Sequence, residues 1–135
     1  GQNKTTAAYN SIQSAARVMP ENRALAFKLA EVFIRQKNAS AAIALIQRFS
    51  SKNPRDVQAW RLMQQAANID QQSPLRAINV LRYRAEVEYW SGWEENAIKS
   101  LLHAQRLVKD KNNALLSAQV KIRLNEMQAE RQLRI

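Results

Sequence analysis

His103 is the only histidine in the chain, and there is no cysteine. One imidazole cannot make a two-histidine zinc site, and no thiolate is present to complete a ligand set or close a disulfide. His103 has small and apolar neighbours at helical spacing, which predicts a partly exposed helix position. Serine nucleophiles need a base alongside and an oxyanion hole. The serines here fall at expected caps, turns and polar helix faces. The only glycines are Gly1 and Gly92, too few for a nucleophile elbow or a phosphate cradle. Two carboxylate pairs remain. Glu86 and Glu88 point apart on a helix. Glu94 and Glu95 stand at a predicted helix start, where negative charge favours the backbone dipole. The expectation is a stretch with no catalytic, metal-binding or cofactor-binding residue, and therefore not itself an enzyme. Asn38-Ala39-Ser40 is a glycosylation triplet of a kind frequent by chance.

The remaining chemistry is that of binding. Trp, Tyr and Arg lead the residues that anchor protein interfaces. Trp60 falls at a packing position and is expected in the core. Tyr89, Trp90 and Trp93 surround Gly92, and are expected to staple two helices across a turn or to form a hot spot.

Helices must position these residues. Pro20 and Pro54 lie 34 residues apart. Ala8, Ile12 and Ala15 precede the first as Ala42, Ile46 and Phe49 precede the second, at matched spacings. A period of 34 with small, large and apolar residues ahead of proline is the tetratricopeptide signature. Helices are predicted over 5–18, 22–36, 39–51, 57–70, 74–90 and 113–133, with another carrying Ala97, Leu101 and Ala104. Asn22 and Asp56 are expected N-caps. Ser73-Pro74 reads as an N-cap followed by proline in the first turn. The interior stripe of 74–90 is expected to be Ile78, Leu81, Ala85 and Tyr89.

The expected fold is all-α, a tetratricopeptide-like superhelix of antiparallel helix hairpins with about six to seven helices. A single domain spans 1–135. It divides into a half repeat (5–18), a full repeat (22–54), a shortened repeat (56–90), a repeat sharing its helix (74–109) and a polar-faced capping helix (113–133). Ala42 and Ala97 stand about one helix short of two full repeats apart, so 74–90 is expected to serve twice. Because 5–18 is the second helix of a repeat, the chain is expected to be a fragment of a longer protein.

The chain has 135 residues and a formal charge of +10, from 21 Lys and Arg against 11 Asp and Glu. The basic residues are scattered, with no run of four, so a solvated basic surface is expected rather than nucleic-acid binding. No long apolar run is present, so membrane insertion is not expected. Gln2-Asn3-Lys4-Thr5 leads into no apolar core of a signal peptide.

In such a stack the first helix of each hairpin lines a concave groove. Counting along the repeat places Phe27, Glu31, Ile34 and Arg35 there, then Gln58, Arg61, Gln65 and Asn68, then Arg82, Glu86, Tyr89 and Trp90. This lining of arginine, amide and aromatic residues suits an extended peptide or a helix as partner.

The stretch Tyr83–Gln105, with Arg84-Ala85-Glu86, Gly92, Ala97-Ile98 and Leu101-Leu102, resembles the C-terminal repeat domain of BepA-type periplasmic zinc metalloproteases of Gram-negative bacteria. LAFKLAEVFIRQKNASAAIALIQRF and the order of parts, ending in an Arg/Gln-rich helix, are also similar. The resemblance implies a periplasmic location and an upstream catalytic domain holding zinc on a His-Glu-x-x-His motif. No residue here matches that motif, so no catalytic or zinc role transfers. It further implies docking on outer-membrane assembly machinery and its substrates. The basic charge, Trp90 and Trp93 depart from the family pattern. The alternatives are a stand-alone repeat adaptor of a secretion or pilus system, and a nucleic-acid-binding helical domain.

Overall fold

Asparagines start three of the helices. Asn22 accepts from the Leu25 N–H at 3.1 Å, Asn38 from Ala41 at 3.3 Å and Asn113 from Leu116 at 2.9 Å. Each satisfies a backbone donor that the first helical turn leaves free. The computed structural model describes residues 2–134, so the first and last residues of the expected 1–135 domain lie outside the described residues. Seven α-helices are described: α1 (Gln2–Val18), α2 (Arg23–Arg35), α3 (Ala39–Lys52), α4 (Val57–Ile69), α5 (Arg76–Trp90), α6 (Glu94–Val108) and α7 (Ala114–Leu133). A 3-10 turn, Lys109–Lys111, joins the last two. Among the described residues there is no strand, and the all-α tetratricopeptide-like architecture is the one expected. Among the described residues no helix is long and apolar enough to cross a membrane.

Each helix packs on the next, and α2 also packs on α4, so hairpins stack rather than close into a bundle. Small residues let the backbones approach. Ala30, Ala59, Ala66, Ala85, Ala97 and Ala104 have no exposure, and Ala42 has 1%. A larger side chain at such a seam would push two helices apart.

The core has three parts. Phe27, Ile46, Leu62, Met63 and Tyr83 fill the space among α2–α5. Ala85, Leu101, Leu124 and Met127 join α5, α6 and α7. Ile78, Val108, Leu116 and Val120 join the same three helices in a separate cluster. Helix α5 thus feeds all three, through Tyr83, Ala85 and Ile78. The expected stripe is corrected accordingly. Ile78 and Ala85 are buried as predicted, Leu81 and Tyr89 only partly, and Tyr83 faces α4 from another side of the helix. A helix packed on both α4 and α6 has no single apolar face for a periodicity to find.

Two local expectations are also corrected, and a third in part. Helix α5 begins at Arg76, not at Pro74. Ser73 Oγ accepts from the Leu75 N–H at 3.1 Å, forming a turn ahead of the helix. Arg76 reaches back to the Asn68 carbonyl and Oδ1, both at 2.6 Å, which ties the helix start to the end of α4. Trp93 is no staple, being 63% exposed. The outer side of α7 is polar at Gln119, Lys121, Asn125, Glu126, Gln128 and Gln132, as expected of a cap, but Leu115, Ile122 and Leu133 interrupt it. Gly92 has φ +91 in the turn between α5 and α6, a conformation that side-chain-bearing residues rarely adopt.

Asp56 precedes α4, but its side chain makes no cap bond. It accepts instead from Arg23 Nε at 2.7 Å and Nη2 at 2.9 Å, linking the starts of α2 and α4. The Arg23 hydrogen bond holds its carboxyl below the ordinary aspartate range. As pH falls, the unfolded state therefore takes up this proton first. The contribution is complete above the unfolded pKa and is lost as pH falls through the folded one. We expect Asp56→Asn to cost about 1 kcal/mol near neutral pH and nothing in strong acid. Urea unfolding of both proteins at about pH 6 and about pH 2 tests this. A constant difference between the two proteins at both values would refute the assignment.

Candidate binding groove

The Trp60 indole packs against the Tyr83 ring at 6.3 Å with an interplanar angle of 28°, bringing α4 and α5 together. Its Nε1–H donates to the Pro54 carbonyl at 2.7 Å. Burial of Tyr83 raises its hydroxyl above the ordinary pKa. Two turns further along α5, Tyr89 and Trp90 meet edge to face at 4.9 Å. The Trp90 indole N–H donates to Glu86 Oε1 at 3.2 Å.

Glu86 is 8% exposed and organises this surface. It accepts from Arg123 of α7 through Nε at 2.8 Å and Nη2 at 2.9 Å. Such a two-bond fork fixes the guanidinium plane. Burial disfavours the Arg123 charge, but the hydrogen bond and charge of Glu86 outweigh it, so the proton is held more tightly than usual. The Arg123 guanidinium lies 5.1 Å from the Tyr89 ring centre and 5.8 Å from that of Trp90. Arg55, in the turn before α4, lies 5.3 Å from the Trp90 ring. Arg82 lies 5.7 Å from the Tyr83 ring.

Two depressions meet at Arg123. The larger, about 600 Å³, is lined by Arg55, Tyr89, Trp90, Arg123, Glu126 and Arg134 among others. The smaller, about 150 Å³, is lined by Trp60, Arg82, Tyr83, Glu86, Gln119 and Arg123 among others. Together they form a groove with α5 as its floor and α7 as one wall. Among the described residues no group of three or more His, Cys, Asp or Glu could hold a metal ion.

The structure brings Arg82, Glu86, Tyr89 and Trp90 together, as the repeat count requires. Arg61, Gln65 and Asn68 share a separate depression of about 400 Å³ with Gln64 and Val80. Asn68 is engaged there by Arg76. Gln58, Glu31 and Arg35 are exposed on α4 and α2. Phe27 is a correction. It is 7% exposed, packed edge to face on Phe49 at 5.8 Å, and covered by the Arg23 guanidinium at 4.1 Å. Neighbouring Ile34 is half-buried against the same cluster. Trp60, expected in the core, is only partly buried and reaches the smaller depression. Arg55, Gln119, Arg123 and Arg134 escaped the sequence reading. Arg55 lies in a turn that the repeat template skips, Gln119 and Arg123 lie on a helix read only as a cap, and Arg134 directly follows that helix.

A family model described as tetratricopeptide repeat matches residues 1–66. The match ends within α4, before the helix at which the 34-residue period fails. No curated protein matches the chain.

Proposed function

We propose, taking as premise the tetratricopeptide repeat in residues 1–66, that the chain is a protein-interaction module whose groove over α5 holds a partner or substrate polypeptide. Stacked helix hairpins bind through extended concave surfaces, and this one is walled by α7 and floored by aromatic and arginine side chains. The observation that carries the reading is the junction of both depressions at Arg123, with Trp60, Tyr83, Tyr89 and Trp90 around them. The reaction, if the parent protein performs one, belongs to another domain, and this module recruits. No catalytic residue, cofactor or metal is assigned to it.

The parent is proposed to be a periplasmic zinc metalloprotease of the BepA type, concerned with assembly and quality control of outer-membrane proteins. The support is the likeness of Tyr83–Gln105 and of the order of parts described above. The partners proposed on that basis are outer-membrane assembly machinery and its substrates. The reading frame upstream of Gly1 tests the parentage, which requires a His-Glu-x-x-His motif. Photo-crosslinking in the parent host tests the module itself. Trp90→Ala and Tyr89→Ala are each expected to reduce partner capture about tenfold, the loss of one interface anchor. Unchanged capture by both variants would remove the groove assignment.

A further inference from the structure

Most carboxylates of the chain are already neutralised within it. Glu86 and Glu126 pair with Arg123, Glu94 and Glu130 with Arg134, Glu95 with Arg131, Glu88 with Arg84, Asp56 with Arg23, and Glu21 with Lys52. The formal excess of ten positive charges therefore resides in side chains without an internal counter-charge. Two of these are in the groove. Arg55 and Arg82 each lie over an aromatic ring, and among the described residues neither has a carboxylate within ion-pair distance. Arg82 is held further by its Nη1–H bond to Asn79 Oδ1 at 3.0 Å.

An arginine placed over a ring loses solvent from one face, while its N–H donors still point outward at the edge. Its conformational freedom is also reduced before any ligand arrives, which lowers the entropy cost of a later hydrogen bond. The acidic residues of the rim do not compete for these two guanidinium groups. Glu126 lies 3.6 Å from Arg123, and Glu94 and Glu130 are engaged by Arg134. Arg55 lines the larger depression and Arg82 the smaller, on either side of the Glu86–Arg123 pair. The groove thus offers a carboxylate-binding fork in each depression, with the partly buried rings of Trp60, Tyr89 and Trp90 beside them.

We infer that the groove selects an acidic, extended polypeptide segment, whose carboxylates are taken by Arg55 and Arg82 while its apolar side chains rest on Trp60 and Trp90. The inference rests on the groove reading above and adds the charge of the partner to it.

Fluorescence anisotropy with a labelled ten-residue peptide of alternating Glu and Leu tests it, beside the same peptide with Gln for Glu. The Glu peptide should bind the whole chain at least about tenfold more tightly at low salt, and the preference should shrink as salt screens the charges. Arg55→Gln and Arg82→Gln should each lower its affinity roughly tenfold. Arg55→Lys and Arg82→Lys should restore only part, because lysine keeps the charge without the planar fork. Lys109→Gln with Lys111→Gln, in the turn between α6 and α7, should leave binding unchanged. Equal losses in that control would mean unspecific attraction to a basic protein and would overturn the inference. So would tighter binding of a single-stranded oligonucleotide with the same dependence on Arg55 and Arg82. If the Gln peptide binds as well as the Glu peptide, and both weaken with Trp90→Ala, the groove reading stands and the charge preference fails. Peptide binding that no groove substitution alters would end both.

Discussion

Leu101→Ala is expected to destabilise the chain by about 3 kcal/mol and to lower its melting temperature by roughly 10 °C. Leu101 is 1% exposed and packs with Ala85 and Ala97 on one side and with Leu124 and Met127 of α7 on the other. Removing its isopropyl group leaves a cavity that rigid helices close only in part. Among stacked hairpins the damage should stay with nearest neighbours. Amide exchange should therefore quicken in α6 and α7, while α2 and α3 stay protected. Uniform loss of protection along the chain would show instead that the seven helices melt as one unit. Leu101→Met, which nearly conserves volume, should cost well under half as much.

Glu86→Ala should come close to this, at about 2–3 kcal/mol. The substitution removes both acceptors of the Arg123 fork and the acceptor of the Trp90 indole at once. The Arg123 side chain keeps only 27% exposure, so its charge is left with little water and with only the exposed Glu126 carboxylate, at 3.6 Å, as a partner. The cost is mainly that of the stranded guanidinium, not of a lost attraction. The double variant Glu86→Leu with Arg123→Met should accordingly recover much of the stability, since neither charge then remains to be satisfied. A double variant no more stable than Glu86→Ala would mean that the pair holds α7 in a way that apolar contact cannot replace. Chemical unfolding of the three proteins gives the answer.

Local chemistry made much of the fold legible before any coordinates. Asn22 predicted the start of α2 because an asparagine ahead of an apolar run has one good use there. Ala42, Ile46, Ala97 and Leu101 fell at repeat positions, and all are buried. The errors arise where a side chain found a distant partner. Asp56 is the N-cap residue of α4, as expected, yet Arg23, far away along the chain, takes the carboxylate expected to close the cap. Phe27 falls at a groove position by count, yet Phe49 and Arg23 cover it.

The groove was legible only on its floor. Arg82, Glu86, Tyr89 and Trp90 share one helix, so periodicity could gather them. Arg123 is separated from Glu86 by all of α6 and the first half of α7, and no local pattern relates the two. Arg55 follows a proline in a short turn, where a repeat template says nothing of where a side chain points. Tyr83 was hidden for a different reason. Its helix buries residues on several sides, so no single stripe distinguishes inside from outside.

The packing of α5 against both of its neighbours also bears on how the chain can diverge. Only Ala77 and Arg84 of that helix are exposed. Evolutionary latitude is therefore concentrated elsewhere, above all on α7, whose outer side can drift while the helix stays docked. A lineage altering what this module recognises can rewrite α7 and the turn before α4 cheaply, but must inherit α5 nearly intact.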